Sequence, residues 1–296
     1  MSDPATGVTD IAELSARLEA TGYLAAEPLA TAMFLGIRMR QPILLEGEPG
    51  VGKTEAAKAL AAALDTRLVR LQCYEGLTAA EALYEWNYPR QLLAIRLAEA
   101  RGEVLHDADL FGAEYLLPRP LLQAIQHPGP RPAVLLIDEV DRGDDEFEAF
   151  LLEVLAESAV TIPELGTQRA ALPPVAVLTS NRTRDLHDAL KRRCLYHWIG
   201  YPDTGRVAAI IRRRVPDAAD FLAERVAGAV ERLRGLDLQK PPGIAEAISW
   251  VTALHVLGLD GFDAAAAEQT LGAVLKYQED QDTVRAVGLA KVVGGG

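Results

Sequence analysis

Cysteine is nearly absent: the chain of 296 residues has two, Cys73 and Cys194. Two cysteines make no disulfide framework, and neither belongs to a C-x-x-C pair. Cys194 and His197 have a ligand-like spacing, but they fall short of the ligand set of a structural zinc site, so no metal centre is expected there. Basic residues are outnumbered, with 30 Lys and Arg against 42 Asp and Glu and a formal net charge of −12. Binding along a nucleic-acid backbone needs clustered Lys and Arg, so this balance argues against a broad nucleic-acid surface and leaves room only for a local basic patch. No apolar run reaches the length of a membrane span, and Met1-Ser2-Asp3-Pro4 lacks the basic-then-apolar pattern of a signal peptide. A cytoplasmic protein is the expectation. Low-complexity segments and internal repeats are missing too. What remains is 49% hydrophobic and 24% charged, the balance of a folded chain long enough for one large domain or a medium domain with a smaller one.

One stretch organises the rest. Pro42-Ile43-Leu44-Leu45-Glu46 reads as a buried strand, and an alanine-rich helix is predicted over residues 55–64. Between them Gly47-Glu48-Pro49-Gly50-Val51-Gly52-Lys53-Thr54 spells the phosphate-binding loop G-x-x-x-x-G-K-T, with Glu55 opening the helix. Glycines let successive N–H groups close on phosphate oxygens, and the following helix N-terminus adds partial positive charge. Lys53 would reach the β- and γ-phosphates, and the Thr54 hydroxyl would hold Mg2+. The spelling implies a nucleoside triphosphate site but reads phosphates alone, so it does not separate ATP from GTP.

The second half of the site is expected at Ala133-Val134-Leu135-Leu136-Ile137-Asp138-Glu139. Apolar residues ending in two carboxylates suit a parallel strand buried on both faces that delivers acids to the sheet edge where the loop lies. Asp138 would position Mg2+ through its water shell, and Glu139 would orient or deprotonate the attacking water. A further buried strand, Val175-Ala176-Val177-Leu178-Thr179-Ser180-Asn181, ends at the same edge, with Asn181 placed to sense the γ-phosphate or hold the water.

Other segments fill in the frame. Asp10 and Glu13 have capping-box character and open a helix through about Glu19; a second helix follows over residues 27–39. Tyr23, between them, either packs in the core or stacks on a nucleotide base. Residues 67–73 alternate as a strand, a helix runs through Glu81 and Tyr84, and Tyr84, Trp86 and Tyr88 form either a local core cluster or a contact surface. A helix is predicted over 91–100, another near Pro120, and an amphipathic one over 145–157. Residues 195–201 read as a fifth strand, preceded by a helix ending in Lys191-Arg192-Arg193. These cations either complement the helix dipole or present an arginine to a neighbour's nucleotide. After Pro202-Asp203 every segment is helical in period, which sets the expected domains: N-terminal helices over 1–40, an α/β core over 41–202, an all-helical lid over 203–293 and a frayed tail at 294–296.

A five-stranded sheet carrying this loop and followed by a helical lid resembles the AAA+ ATPases. Across nearly its whole length the chain is similar to the MoxR group, on residues 47–54, Leu135-Leu136-Ile137-Asp138-Glu139-Val140-Asp141-Arg142, Thr161-Ile162-Pro163-Glu164-Leu165-Gly166 and Leu178-Thr179-Ser180-Asn181-Arg182-Thr183. Tyr74-Glu75-Gly76, Glu85-Trp86-Asn87-Tyr88-Pro89-Arg90 and residues 190–198 look like the CoxD-type branch, encoded with aerobic carbon monoxide dehydrogenase and related molybdenum hydroxylases. The resemblance implies an ATP- and Mg2+-dependent ATPase in a homo-oligomeric ring, usually a hexamer, with each nucleotide at a subunit interface. It implies Walker A at Lys53 and Thr54, Walker B at Asp138 and Glu139, sensor 1 at Asn181, and a trans-acting arginine finger at Arg193, with Arg192 second. It also implies a von Willebrand factor A domain partner and a molybdenum hydroxylase client whose metal centre is matured. One departure stands out: Ile244-Ala245-Glu246 occupies the place where many AAA+ lids carry the sensor 2 arginine. Either the lid reports nucleotide differently, through Lys240, or hydrolysis leans on the neighbour's arginine. The alternatives on the same scaffold are a nucleic-acid motor or loader and a slow nucleotide-gated binding module.

Overall fold

The structure, a computed structural model, describes residues 6–104, 106–218, 220–259 and 261–294. Met1-Ser2-Asp3-Pro4 and, from the expected tail, Gly295 and Gly296 lie outside the described residues. The strands in chain order are β1 (Ile43–Glu46), β2 (Leu68–Gln72), β3 (Tyr84–Trp86), β4 (Leu116–Pro118), β5 (Val134–Asp138), β6 (Ala159–Ile162), β7 (Gly166–Arg169), β8 (Val175–Ser180) and β9 (Leu195–Trp198). Five of them form one sheet in the order β2-β5-β8-β1-β9, all pairs parallel. The three inner strands are buried at every residue, as their unbroken apolar runs require when helices cover both faces. The outer strands, β2 and β9, include exposed positions: one in β2 and every second residue in β9. The strands expected to be buried, at residues 42–46, 133–139 and 175–181, are these inner three, and an outer strand has a neighbour on one side only.

Parallel register lines up the strand ends. Gln72 pairs with Asp138, Glu46 with Ser180, and Glu46 with Trp198. Beneath that edge Leu44, Val69, Leu135, Ile137 and Leu178 share a core with Leu121, Leu122, Phe147 and Leu151 from the flanking helices. The folded α/β architecture is the expected one.

Several local expectations are corrected. Tyr84 leaves the helix Ala79–Leu83 and begins β3, which pairs antiparallel with β4; aromatic residues suit the pleated surface. Trp86 packs edge-on to Tyr84 at 5.9 Å and to Phe111 at 5.1 Å, whereas Tyr88 is exposed. The next helix starts at Tyr88, ahead of the predicted residue 91, because the Asn87 side chain accepts from the Arg90 N–H and Pro89 fits the first turn. At the first helix, Asp10 accepts from the Glu13 N–H, but the Glu13 carboxylate turns to the Thr9 N–H instead of closing the box on Asp10. The last helical segment, expected unbroken over about 280–293, is split into Gln278–Val287 and Leu289–Val293 at Gly288, whose φ is +97°.

Contacts divide the chain into two compact units. One comprises residues up to Thr21, Ala25–Glu46 and Thr54–Trp198; the other comprises Gly22–Leu24, Gly47–Lys53 and the residues from Ile199 onward. The second unit is all-helical after Ile199 and is built around Trp250, which packs edge-on to Phe262 at 5.0 Å. Its indole N–H donates to the buried Thr270 hydroxyl at 2.8 Å.

Candidate functional site

The sheet unit carries the acids. β5 ends at Asp138, whose side chain is 4% exposed. One carboxylate oxygen, Oδ1, accepts from the Thr54 hydroxyl at 3.0 Å and from the Thr179 hydroxyl on β8. The other, Oδ2, accepts from Arg70 Nε at 3.0 Å and Nη2 at 2.6 Å. Thr179 also fixes the next residue, accepting from the Glu139 N–H at 2.9 Å. Glu139 itself adopts a left-handed backbone at φ +54° and turns its partly exposed carboxylate back over the sheet edge. Gln72 Nε2 donates to its Oε2 at 3.0 Å, Asn181 Nδ2 reaches its Oε1 at 3.5 Å, and Arg142 lies 3.7 Å away.

Asn181 is held in turn by a residue that the motif reading passed over. Asp141, 2% exposed, accepts from the Asn181 N–H at 3.2 Å, the Thr183 N–H at 2.8 Å and the Thr183 hydroxyl at 2.7 Å. Arg70 and Gln72 were missed as site residues too. Their spacing of two puts both on one face of β2, but it is the register of β2 on β5 that sets that face beside the acids.

The second unit holds the phosphate loop. Lys53 is buried and its Nζ donates to the Gly47 carbonyl at 2.6 Å and the Glu48 carbonyl at 2.9 Å. Gly47 has to be glycine: a Cβ there would stand 2.2 Å from the Ile199 carbonyl oxygen. Gly50 has φ +80°, a conformation that side chains rarely tolerate. Glu48 and Pro49 are exposed and Val51 is buried. Within this unit Glu48, Pro49, Tyr201, Lys240 and Tyr277 line a cavity of about 270 Å3. Tyr23 lies against the loop, its ring 3.9 Å from where a Cβ on Gly52 would sit. Glu246 accepts from the Gly243 N–H at 3.0 Å and so caps its own helix. Nearby, the guanidinium of Arg234 stacks 4.2 Å from the Tyr201 ring centroid and its Nε donates to the Pro242 carbonyl at 2.8 Å.

The remaining candidates have partners of their own. Glu55 is half-buried, with Lys58 at 2.6 Å. Arg193 donates to the Leu152 carbonyl at 3.0 Å, and Arg192 is exposed, 3.9 Å from Asp188. Burial pushes the Cys194 thiol up to about 12, the wrong direction for a metal ligand. Among the described residues no group of His, Cys, Asp and Glu gathers as a metal centre would. The paired oxygens of Thr54 and Asp138 fit Mg2+, a hard ion that takes few protein ligands and completes its shell with phosphates and water. No helix among the described residues is long and apolar enough to cross a membrane.

Residues 42–194 match the AAA domain of the dynein-related subfamily. The Lon protease of Desulforamulus reducens is 34% identical over 140 residues, 46% of this chain and 14% of that protein. Lon protease 3 of Sorangium cellulosum is 34% identical over 138 residues, 45% of this chain and 13% of that one. The chain therefore spans only a small fraction of these curated relatives. Among solved structures, the Thermotoga maritima RuvB Holliday junction branch migration motor superposes with a TM-score of 0.47 at 19% identity, over 83% of this chain and 66% of that one. A mutant of the same motor gives 0.48 at 21% identity, over 83% and 69%. With more than half of its length matched, the chain belongs to the AAA domain family, dynein-related subfamily, whose members bind and hydrolyse ATP.

Proposed function

We propose that this ATPase works as a homo-oligomeric ring of the MoxR type that remodels a client protein, and that the client is a molybdenum hydroxylase of the carbon monoxide dehydrogenase kind whose metal centre is being matured. The observation that carries the ATPase chemistry is the carboxylate of Asp138 at 3.0 Å from the Thr54 hydroxyl, with Glu139 next in the chain. In this reading Lys53 and the N–H groups of residues 47–54 hold the phosphates, and Thr54 and Asp138 hold Mg2+. Held by Thr54 and Asp138, Mg2+ would supply positive charge against the charge that develops on the transferring phosphate. Glu139 takes the proton of the attacking water, which Asn181 orients. Arg193, or Arg192 beside it, is presented to the neighbouring subunit's nucleotide.

The ring, the client and a von Willebrand factor A domain partner rest on the motifs shared with the MoxR group and its CoxD-type branch. Turnover measured over a range of protein concentrations tests the ring: activity that rises cooperatively and vanishes in Lys53→Ala and Arg193→Ala supports it. Concentration-independent turnover insensitive to Arg193→Ala removes the trans finger. Incubating the ATPase, the von Willebrand factor A protein and an immature hydroxylase with ATP tests the client. An ATP-dependent gain of hydroxylase activity supports the assignment, and stimulation of turnover by DNA instead would favour a nucleic-acid motor.

A further inference from the structure

Asp138 is already paired with a cation. Arg70 rises from β2, two residues before Gln72 and beside the acid-bearing strand, and places both Nε and Nη2 on Oδ2 of a carboxylate that is 4% exposed. The pair is unequal. Asp138 is fixed, its other oxygen tied to Thr54 and Thr179, whereas the Arg70 side chain is 49% exposed and has solvent to move into. Removing a partner from a buried carboxylate is strongly unfavourable unless another cation takes its place. Conversely, two cations drawn to one carboxylate repel each other, and a divalent ion is the stronger competitor.

Resting on the Mg2+-dependent ATPase reading above, we propose that Arg70 is the resident counter-cation of Asp138 and that a magnesium–nucleotide complex has to displace it. Arg70 is thus a positioning residue that sets the free Mg2+ concentration at which nucleotide is held. In the absence of metal it keeps the buried acid neutralised and the Thr54–Asp138 pair aligned. When the metal arrives, the guanidinium swings to solvent and the carboxylate exchanges one positive partner for another. The opposite arrangement, in which Arg70 stays on Asp138 and assists the metal, predicts the reverse metal dependence.

The experiment is a Mg2+ titration of the full chain with a fluorescent ATP analogue, read as nucleotide binding and not as turnover, for wild type, Arg70→Met and Arg70→Gln. Arg70→Gln keeps an N–H donor for Asp138 while removing the charge, so it carries the test if Arg70→Met does not fold. The half-saturating free Mg2+ is expected to fall about tenfold in the uncharged variants. Wild-type binding with an unchanged or raised Mg2+ requirement in the folded variants overturns the role of Arg70 alone. A wild type that binds no nucleotide at any Mg2+ concentration overturns the ATPase reading together with it.

Discussion

The backbone N–H of Ile244 donates to the carbonyl oxygen of Gly50 at 3.0 Å. This bond ties the phosphate loop to the start of the helix Ile244–Val256, and the residue before it leaves no slack. A Cβ on Gly243 would stand 2.9 Å from Gly50 Cα and 3.0 Å from its carbonyl carbon, contacts that backbone atoms cannot relieve by rotating a side chain. Gly243→Ala is expected to push the turn off the loop and to weaken nucleotide binding about tenfold. Fluorescent nucleotide titration checks it; a variant that binds as wild type would show that the bond does not shape the loop.

Glu139 is the candidate base, and its removal separates binding from chemistry. Glu139→Gln keeps the side-chain shape and the Thr179 contact to its backbone while abolishing proton uptake. Turnover is expected to fall about 10²–10⁴-fold with nucleotide still retained, measured by phosphate release beside equilibrium binding. A slow binding switch that does not depend on hydrolysis would be nearly indifferent to the change.

Arg234 braces the turn from the other side, through the Tyr201 ring and the Pro242 carbonyl. Its side chain is 7% exposed, and burial holds its pKa below the ordinary arginine value. Arg234→Ala is expected to destabilise the helical unit by about 1–3 kcal/mol, read from denaturant unfolding. Arg234→Lys will restore little, because an ammonium neither stacks flat nor reaches the carbonyl in the same way.

Burial raises both thiols, Cys73 and Cys194, to about 12, with the charges of Asp138, Asp141 and Glu139 adding to the effect at Cys73. Neutral thiols make the native protein slow to react with a disulfide reagent at pH 8, and both should react on unfolding. The sign for stability follows: unfolded thiols ionise from about pH 8.5, while the folded ones stay neutral until about 12. Stability contributed by this difference is whole below pH 8.5 and is lost as pH rises toward 12, which pH-dependent melting measures.

The phosphate loop, the acid-bearing strand and the helical unit were legible because each has a strong local signature: fixed glycines, an unbroken apolar run and a 3.6-residue period. The hairpin of β3 and β4 was not, since Tyr84 and its partner Pro118 lie far apart in sequence and only their pairing makes them a strand. Arg70, Gln72 and Asp141 escaped for the same reason. Each serves the site through a side chain reaching across to a neighbouring strand or turn, a relationship carried by register and not by spacing along the chain. The outer position of β9 likewise depends on the order of strands in the sheet. Alternation in the short segment 195–198 carries no information about which neighbour it has.

Two of the three inner strands, β5 and β8, lead into residues with left-handed backbone, Glu139 at φ +54° and Arg182 at φ +57°. Such a conformation costs a side-chain-bearing residue about 1–2 kcal/mol, and glycine or asparagine would accept it more readily. Selection for heat resistance and selection for turnover therefore pull these two positions apart. A library of variants sorted only by survival at high temperature is expected to collect Gly or Asn at 139 and 182, and the survivors carrying the change at 139 will hydrolyse ATP poorly.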